Sequence, residues 1–222
     1  ALASGLPEST PAFTVNRLCG SGLQAVWSAA QQMRWGSADI TVAGGDESMS
    51  RMPFYDFSSR SGYKLGDRKL VDGTVAMLTD PFSNAHMGRT AEAVARKYDV
   101  SREQQDEFAV ESQRRAATDA AQAAFAEEIT AVETGGRRSV TVDKDEHLKP
   151  GTTMETLAKL RPAFEEGGSV TAGNASGIND GAGSLVLARE SVAQEKGLTG
   201  LVSLEAVATA AMDPGLMGYA PV

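Results

Sequence analysis

The sequence predicts an α/β fold built on a strand–helix–strand unit, and three stretches carry that prediction. Residues 12–15 (Ala-Phe-Thr-Val) form a short, apolar, β-prone run. Leu23, Val26, Trp27, Ala30 and Met33 then recur at steps of three and four, one face of a helix, with Gly36 placed to stop it. Residues 39–43 (Asp-Ile-Thr-Val-Ala) read as a buried strand ending at Gly44-Gly45. Strand, helix and strand at this spacing describe a βαβ unit with parallel strands.

Further elements follow in order. Residues 49–85 are rich in Gly, Ser, Pro and aromatics with little periodicity, an extended excursion from the sheet. Residues 86–98 are expected to be helical. Ser101 with Gln104 three residues on is a capping box, opening a long helix in which Phe108, Ala116, Ala120 and Ala124 share a face. Gly135-Gly136 and residues 139–142 suggest a turn and a short strand. Residues 167–183 are rich in Gly, Asn and Ser and read as loop. Residues 184–188 form a second buried strand, followed by a helix and a strand at 202–206.

Bulk properties exclude several classes. The chain has 222 residues, 41% of them hydrophobic, enough for one sizeable domain or parts of two. A net charge of -8 argues against nucleic-acid binding, while local basic residues can still serve an anionic ligand. One cysteine gives no internal disulfide and suits a reducing compartment. With two histidines beside it, no metal-ligand spacing arises. No apolar run of about 18 residues and no signal-peptide pattern is present, so a cytoplasmic protein is expected. The chain opens at Ala1 without an initiator Met and stops at Val222, which suggests a piece of a longer protein.

Cys19 stands between a predicted strand end and a helix start. Unpaired amide N–H groups and the positive end of the helix dipole converge there and favour the reactive thiolate. Gly20 and Gly22 remove side chains, so a substrate can approach the backbone, and the same amides suit an oxyanion. A small buried core cysteine fits the position as well. Gly20-Ser21-Gly22-Leu23-Gln24-Ala25 also fits the dinucleotide pattern G-x-G-x-x-A, with Asp46 as a ribose-binding acid. Against it, residues 16–19 separate strand from glycines where that pattern wants a tight turn. The 173–181 stretch, Gly-Asn-Ala-Ser-Gly-Ile-Asn-Asp-Gly, exposes backbone to a narrow ligand arm or is an ordinary connection. His86 at a helix start is a catalytic or a structural histidine.

Taken together, these stretches resemble the thiolase family. The cysteine motif is Val15-Asn16-Arg17-Leu18-Cys19-Gly20-Ser21-Gly22-Leu23-Gln24-Ala25. Gly44-Gly45-Asp46-Glu47-Ser48-Met49-Ser50 and His86-Met87-Gly88-Arg89-Thr90-Ala91-Glu92 follow. Leu160-Arg161-Pro162-Ala163-Phe164 leads to Thr171-Ala172-Gly173-Asn174-Ala175-Ser176-Gly177-Ile178-Asn179-Asp180-Gly181, and Asp213-Pro214 with Met217-Gly218 closes the set. They keep the family's order over nearly the whole chain, which displaces the dinucleotide reading.

The resemblance implies a layered αβαβα fold with mixed sheets and an inserted loop domain over the coenzyme A site. Residues 1–48 and 177–195 map to the N-terminal half, 49–176 to the loop domain and 196–222 to the start of the C-terminal half. It implies Cys19 as the acyl-accepting nucleophile, His86 and Met87 in the substrate pocket, and Phe164 and Ser176 against pantetheine. Leu78, Ala172 and Ala175 join that binding set, and Lys149 lies near the nucleotide. The implied reaction condenses two acetyl-CoA to acetoacetyl-CoA, reversibly, with coenzyme A and acyl-CoA as substrates and no bound cofactor or metal. Degradative cleavage of longer 3-ketoacyl-CoA is one alternative, and a non-catalytic acyl-CoA-binding thiolase-like protein the other. A homo-oligomer, dimer or tetramer, is expected, with no nucleic-acid or membrane partner. The family's Gly-His-Pro histidine, second cysteine and Asn-Glu-Ala-Phe asparagine have no counterpart in these residues.

Overall fold

A computed structural model describes residues 1–222. Seven helices occur in chain order: α1 (Ser21–Arg34), α2 (Gly73–Met77), α3 (Gly88–Tyr98), α4 (Arg102–Ala116), α5 (Asp119–Glu128), α6 (Met154–Ala158) and α7 (Glu190–Glu195). Six strands accompany them: β1 (Ile40–Ser48), β2 (Phe54–Tyr55), β3 (Val71–Asp72), β4 (Val132–Glu133), β5 (Thr141–Val142) and β6 (Asp180–Ala188). The elements divide into two units. One comprises Ala1–Met52 with Ile178–Thr209, the other Pro53–Gly177 with Ala210–Val222.

The first unit is an antiparallel ribbon with a helix on one face. β1 pairs with β6 from Ile40↔Ala188 to Ser48↔Asp180. In an antiparallel ladder, directly paired residues share a face. Ala43 is buried on the face that α1 covers with Ala29 and Met33, and Val192 of α7 is buried in the same unit. The opposite face is bare: the register partners Val42 and Val186 are 56% and 71% exposed. Apolar residues on both faces suit a strand covered twice, and this unit supplies one cover. β1 and β6 are therefore not the buried strands their composition suggests. Asp180 accepts from both the amide and the hydroxyl of Ser50, and Arg189 pairs with Asp39, so the ribbon is fastened at both ends.

Backbone approach explains one glycine here. A Cβ on Gly44 would overlap the carbonyl of Gly183 across the ladder, whereas Gly181 and Gly183 face open space.

Several elements differ from the sequence reading. Residues 12–15 and 202–206 are not strands, because no neighbouring strand offers them hydrogen-bond partners. The parallel βαβ unit is accordingly absent, and every ladder is antiparallel. Leu23 is 81% exposed rather than facing the core. The long helix breaks in two after Ala116, since Thr118 caps α5 by accepting from the Ala121 amide at 3.3 Å. Phe108 is correspondingly 76% exposed. The expected helix stop at Gly36 (φ +76°), the capping box at Ser101 and the turn at Gly135-Gly136 are present.

The second unit packs around α3, α4 and α6. Ala95, Leu157, Val170 and Thr171 are buried, together with the carboxylates of Glu92 and Asp106. A 3₁₀ segment at Pro214–Tyr219 packs on α3, where Tyr219 stacks on Tyr98 with centroids 4.6 Å apart.

Gly44→Ala should destabilise the first unit by about 1–3 kcal/mol, the usual cost of forcing bulk into a filled space, while Gly181→Ala should be close to neutral. Urea unfolding of the two variants checks this, with equal midpoints the contrary result.

Candidate active site

In the first unit, Cys19 sits on a tight turn that opens α1. The Leu18 amide donates to Asn16 Oδ1 at 2.9 Å, and the Gly20 and Ser21 amides donate to the carbonyls of Arg17 and Leu18 at 3.1 and 3.0 Å. The Ser21 hydroxyl accepts from the Arg17 amide at 2.9 Å and donates to the Leu18 carbonyl at 2.6 Å. These bonds hold Leu18 at φ +50°. A branched residue in the left-handed region costs on the order of 1 kcal/mol or more, and such strain clusters at functional sites. The turn leaves Cys19 exposed rather than in the core of this unit.

The first helical hydrogen bond of α1 runs from the Gln24 amide to the Gly20 carbonyl at 2.9 Å. The Gly22 and Leu23 amides precede it, at the positive end of the dipole. Nothing lies within 4 Å of a Cβ built on Gly22. The arrangement joins an exposed thiol to open backbone at a helix N-terminus, which is what attack on a carbonyl and retention of its oxyanion require.

In the second unit, Leu78, His86, Met87 and Phe164 come together. A loop closed by the Asp80 amide on the Ala85 carbonyl (2.9 Å) returns the chain, and the Met87 amide donates to the Leu78 carbonyl at 2.8 Å. His86 Nδ1 accepts from the Gly88 amide at 3.0 Å, which leaves Nε2 as the N–H donor of the ring. Phe164 stacks on His86 with centroids 4.8 Å apart and planes 18° from parallel. A Cβ on Gly88 would overlap that phenyl ring, so glycine is required there.

Phe164 belongs to a hairpin whose other arm, Val170 and Thr171, leads into the small-residue stretch. Ala163 donates to the Val170 carbonyl at 2.8 Å, and Pro162 bridges to Thr171. Ala172 and Ser176 are exposed beyond it, and Ala175 is half-buried. Lys149 lies elsewhere, with its amide donating to Gln113 Oε1 of α4 at 2.8 Å. No hydrogen bond or ion pair joins it to the His86–Phe164 group. No cluster of His, Cys, Asp and Glu could hold a metal, and no helix is long and apolar enough to cross a membrane.

Sequence reasoning assigns no role to the two buried carboxylates. Glu92, 2% exposed, accepts from the Ser169 amide, the Ser169 hydroxyl and the Val170 amide at 2.8–2.9 Å. Asp106, also 2% exposed, pairs with Arg102 at 2.7 Å and accepts from Asn174 Nδ2 at 2.9 Å. The signal is present in the residue order: Glu92 shares a helix face with Ala95, three residues on, and an acid on a buried face must find donors. Which donors it finds is not.

The site so described is an exposed, turn-mounted cysteine at the start of a helix in an α/β chain. Comparison with known proteins makes the class specific. The thiolase N-terminal domain family matches residues 1–191, and the chain belongs to the thiolase family. Beta-ketothiolase BktB of Cupriavidus necator is 47% identical over 224 residues, covering all of this chain and 57% of the relative. An acetyl-CoA acetyltransferase of Allochromatium vinosum is 50% identical over 226 residues with the same coverage. The crystal structure of the Bacillus anthracis acetyl-CoA acetyltransferase superposes with a TM-score of 0.93 at 40% identity, covering 98% of this chain and 55% of that one. Human mitochondrial 3-ketoacyl-CoA thiolase in complex with CoA gives 0.81 at 41% identity, covering 89% and 50%. The fold is the thiolase α/β fold, and the chain spans 57% of the length of the curated relatives it matches.

Glu92 generates a pH prediction. Burial pulls its carboxyl upward, but the hydrogen bonds from Ser169 and Val170, aided by the Arg96 charge, outweigh it and leave the group below the ordinary carboxylate value. Its stabilising contribution is therefore present above the unfolded value, about 4.3, and is lost as pH falls through the folded one. Glu92→Gln should lower the urea midpoint at neutral pH and flatten its decline on acidification below about pH 5. A variant whose midpoint tracks the parent's at every pH contradicts this.

Proposed function

We propose that the protein is a short-chain thiolase, an acetyl-CoA C-acetyltransferase that condenses two acetyl-CoA to acetoacetyl-CoA and runs the reverse thiolysis. The observation that carries the reading is the exposed Cys19 on its strained turn at the start of α1. The names of the relatives, acetyl-CoA acetyltransferase among them, support the substrate class.

In this reading the Cys19 thiolate attacks the thioester carbonyl of an acyl-CoA. The carbon–sulfur bond to coenzyme A breaks, and coenzyme A leaves with the proton that Cys19 gave up. Thioester exchange is nearly isoenergetic, and thiolate is both a good nucleophile and a good leaving group, so the step runs in either direction. The carbanion of a second acetyl-CoA then attacks the acyl-cysteine carbonyl. A carbon–carbon bond forms and Cys19 departs. By the resemblance, the base for the nucleophile and the acid/base cysteine for the second substrate belong to the family's second half. Turnover is accordingly a property of the longer protein, and these 222 residues alone are not expected to sustain it.

The second unit is assigned to coenzyme A. Ser176, Ala175 and Ala172 with Phe164 and Leu78 hold the pantetheine arm, His86 and Met87 border the acyl group, and Lys149 attends the nucleotide. Acyl-CoA is the small-molecule partner, and a homo-oligomer in the cytoplasm is the expected setting.

Incubating the full-length protein with acetyl-CoA should place an acetyl group on Cys19, detected as a mass increment on its peptide. Acetyl on another residue, with Cys19 unmodified, defeats the assignment. Met87 should restrict chain length, since a fixed side chain excludes methylenes at about 1–3 kcal/mol each. Met87→Ala should raise kcat/KM for a ten-carbon 3-ketoacyl-CoA relative to the four-carbon substrate by about tenfold or more. An unchanged ratio removes Met87 as the selector.

A further inference from the structure

We propose that Asp106 and Glu92 are positioning residues for coenzyme A binding: through Asn174 and Ser169 they hold the 169–174 segment in the one shape that presents Ala175 and Ser176. The proposal rests on the assignment of Ser176 to the pantetheine arm.

The segment has no regular secondary structure of its own, so its backbone groups need outside partners. Two buried anions provide them from different helices. Glu92 on α3 takes the amides of Ser169 and Val170 and the hydroxyl of Ser169. Asp106 on α4 works through Asn174, whose amide group is used at both ends. Asn174 Oδ1 accepts from the Thr171 amide at 2.7 Å, and Nδ2 donates to Asp106 Oδ1 at 2.9 Å and to the Ser169 carbonyl at 3.2 Å. Asn174 therefore closes a turn across Thr171, which is fully buried, and Asp106 fixes which way that turn faces. Asp106 is itself oriented by Arg102, which also donates to the Leu157 and Leu160 carbonyls at 2.6 and 3.2 Å. Gly173 lets the turn lie against Leu157 and Leu160, whose side chains a Cβ would overlap. Ser176 follows this anchored turn by two residues and is exposed. A chain so short cannot relax a shift at residue 174 before residue 176.

The donor–acceptor polarity makes the proposal testable by exchange. In Asp106→Asn, either the new amide oxygen faces Arg102 and its NH2 meets the NH2 of Asn174, or the reverse mismatch arises at Arg102. In the double variant Asp106→Asn/Asn174→Asp, the amide introduced at position 106 can accept from Arg102 and donate to the carboxylate introduced at position 174. That carboxylate still accepts from the Thr171 amide, but the bond that Asn174 Nδ2 donates to the Ser169 carbonyl is lost.

The experiment uses the full-length protein, with KM for coenzyme A and kcat in thiolysis of acetoacetyl-CoA, alongside hydrogen exchange at the Thr171 amide. Asp106→Asn should raise KM about tenfold with kcat within about threefold and accelerate exchange at Thr171. The double variant, lacking the bond to the Ser169 carbonyl, should recover part of the loss, with KM about threefold below that of Asp106→Asn. Glu92→Gln supplies a second KM reading in the same direction should Asp106→Asn not fold. Faster exchange with an unchanged KM overturns the proposal, as does a folded double variant no better than the single. A parent protein that forms the Thr171 hydrogen bond but cleaves no acyl-CoA overturns instead the functional reading on which the proposal rests.

Discussion

The second unit depends on a buried anion meeting backbone donors. Glu92 is almost entirely removed from water, and an ionised carboxylate in that position survives only if its oxygens are filled. They are filled by consecutive amides of an irregular segment, 77 and 78 residues away in sequence. The exchange is mutual: the hairpin with residues 162–164 leaves the Ser169 and Val170 amides to the carboxylate, and the carboxylate has no water to face. Charge-assisted bonds of this kind are stronger than neutral ones, so one side chain on α3 organises the arm that follows Phe164. Asp106 repeats the device from α4 with Asn174 as the adaptor.

The first unit solves a different problem. Under the proposed function, Cys19 must be reachable and also held still. The Asn16–Ser21 turn achieves both by using side-chain oxygens where a longer loop would use other backbone. Leu18 takes an unfavourable φ as a result, and five short-range hydrogen bonds hold it there. The cysteine at the summit is exposed because the turn is tight, and the helix behind it begins immediately, with its free amides next in the chain. The bare apolar face of the β1–β6 ribbon reflects the same division of labour. A strand pair whose residues are apolar on both sides is ready for covering on both sides, and one helix provides half.

Much of this is readable from residue order, and the failures have a common cause. The helix at 21–34, the capping box at Ser101 and the glycine turn at 135–136 are local devices, decided within a few residues. The cysteine motif is local too, which is why Cys19 stands out from its sequence neighbours alone. Residues 12–15 and 202–206 have strand composition but no strand, because a ladder is a contract between two segments and composition speaks for one. Phe108 marks the same limit: its helical period is visible, but the side of the helix that meets other elements is not.

Residue order settles the chemistry available, a single thiol among glycines at a helix start, and the family pattern that gives it meaning. It also settles where helices begin, since a cap and its amides are neighbours in the chain. Three outcomes belong to the folded chain instead. They are the pairing of β1 with β6, which joins Ser48 to Asp180, the stacking of Phe164 on His86, and the seating of Ser169 and Asn174 on two buried carboxylates. Each depends on burial, which raises the cost of every unpartnered charge and amide, and burial is set only when distant segments have already met.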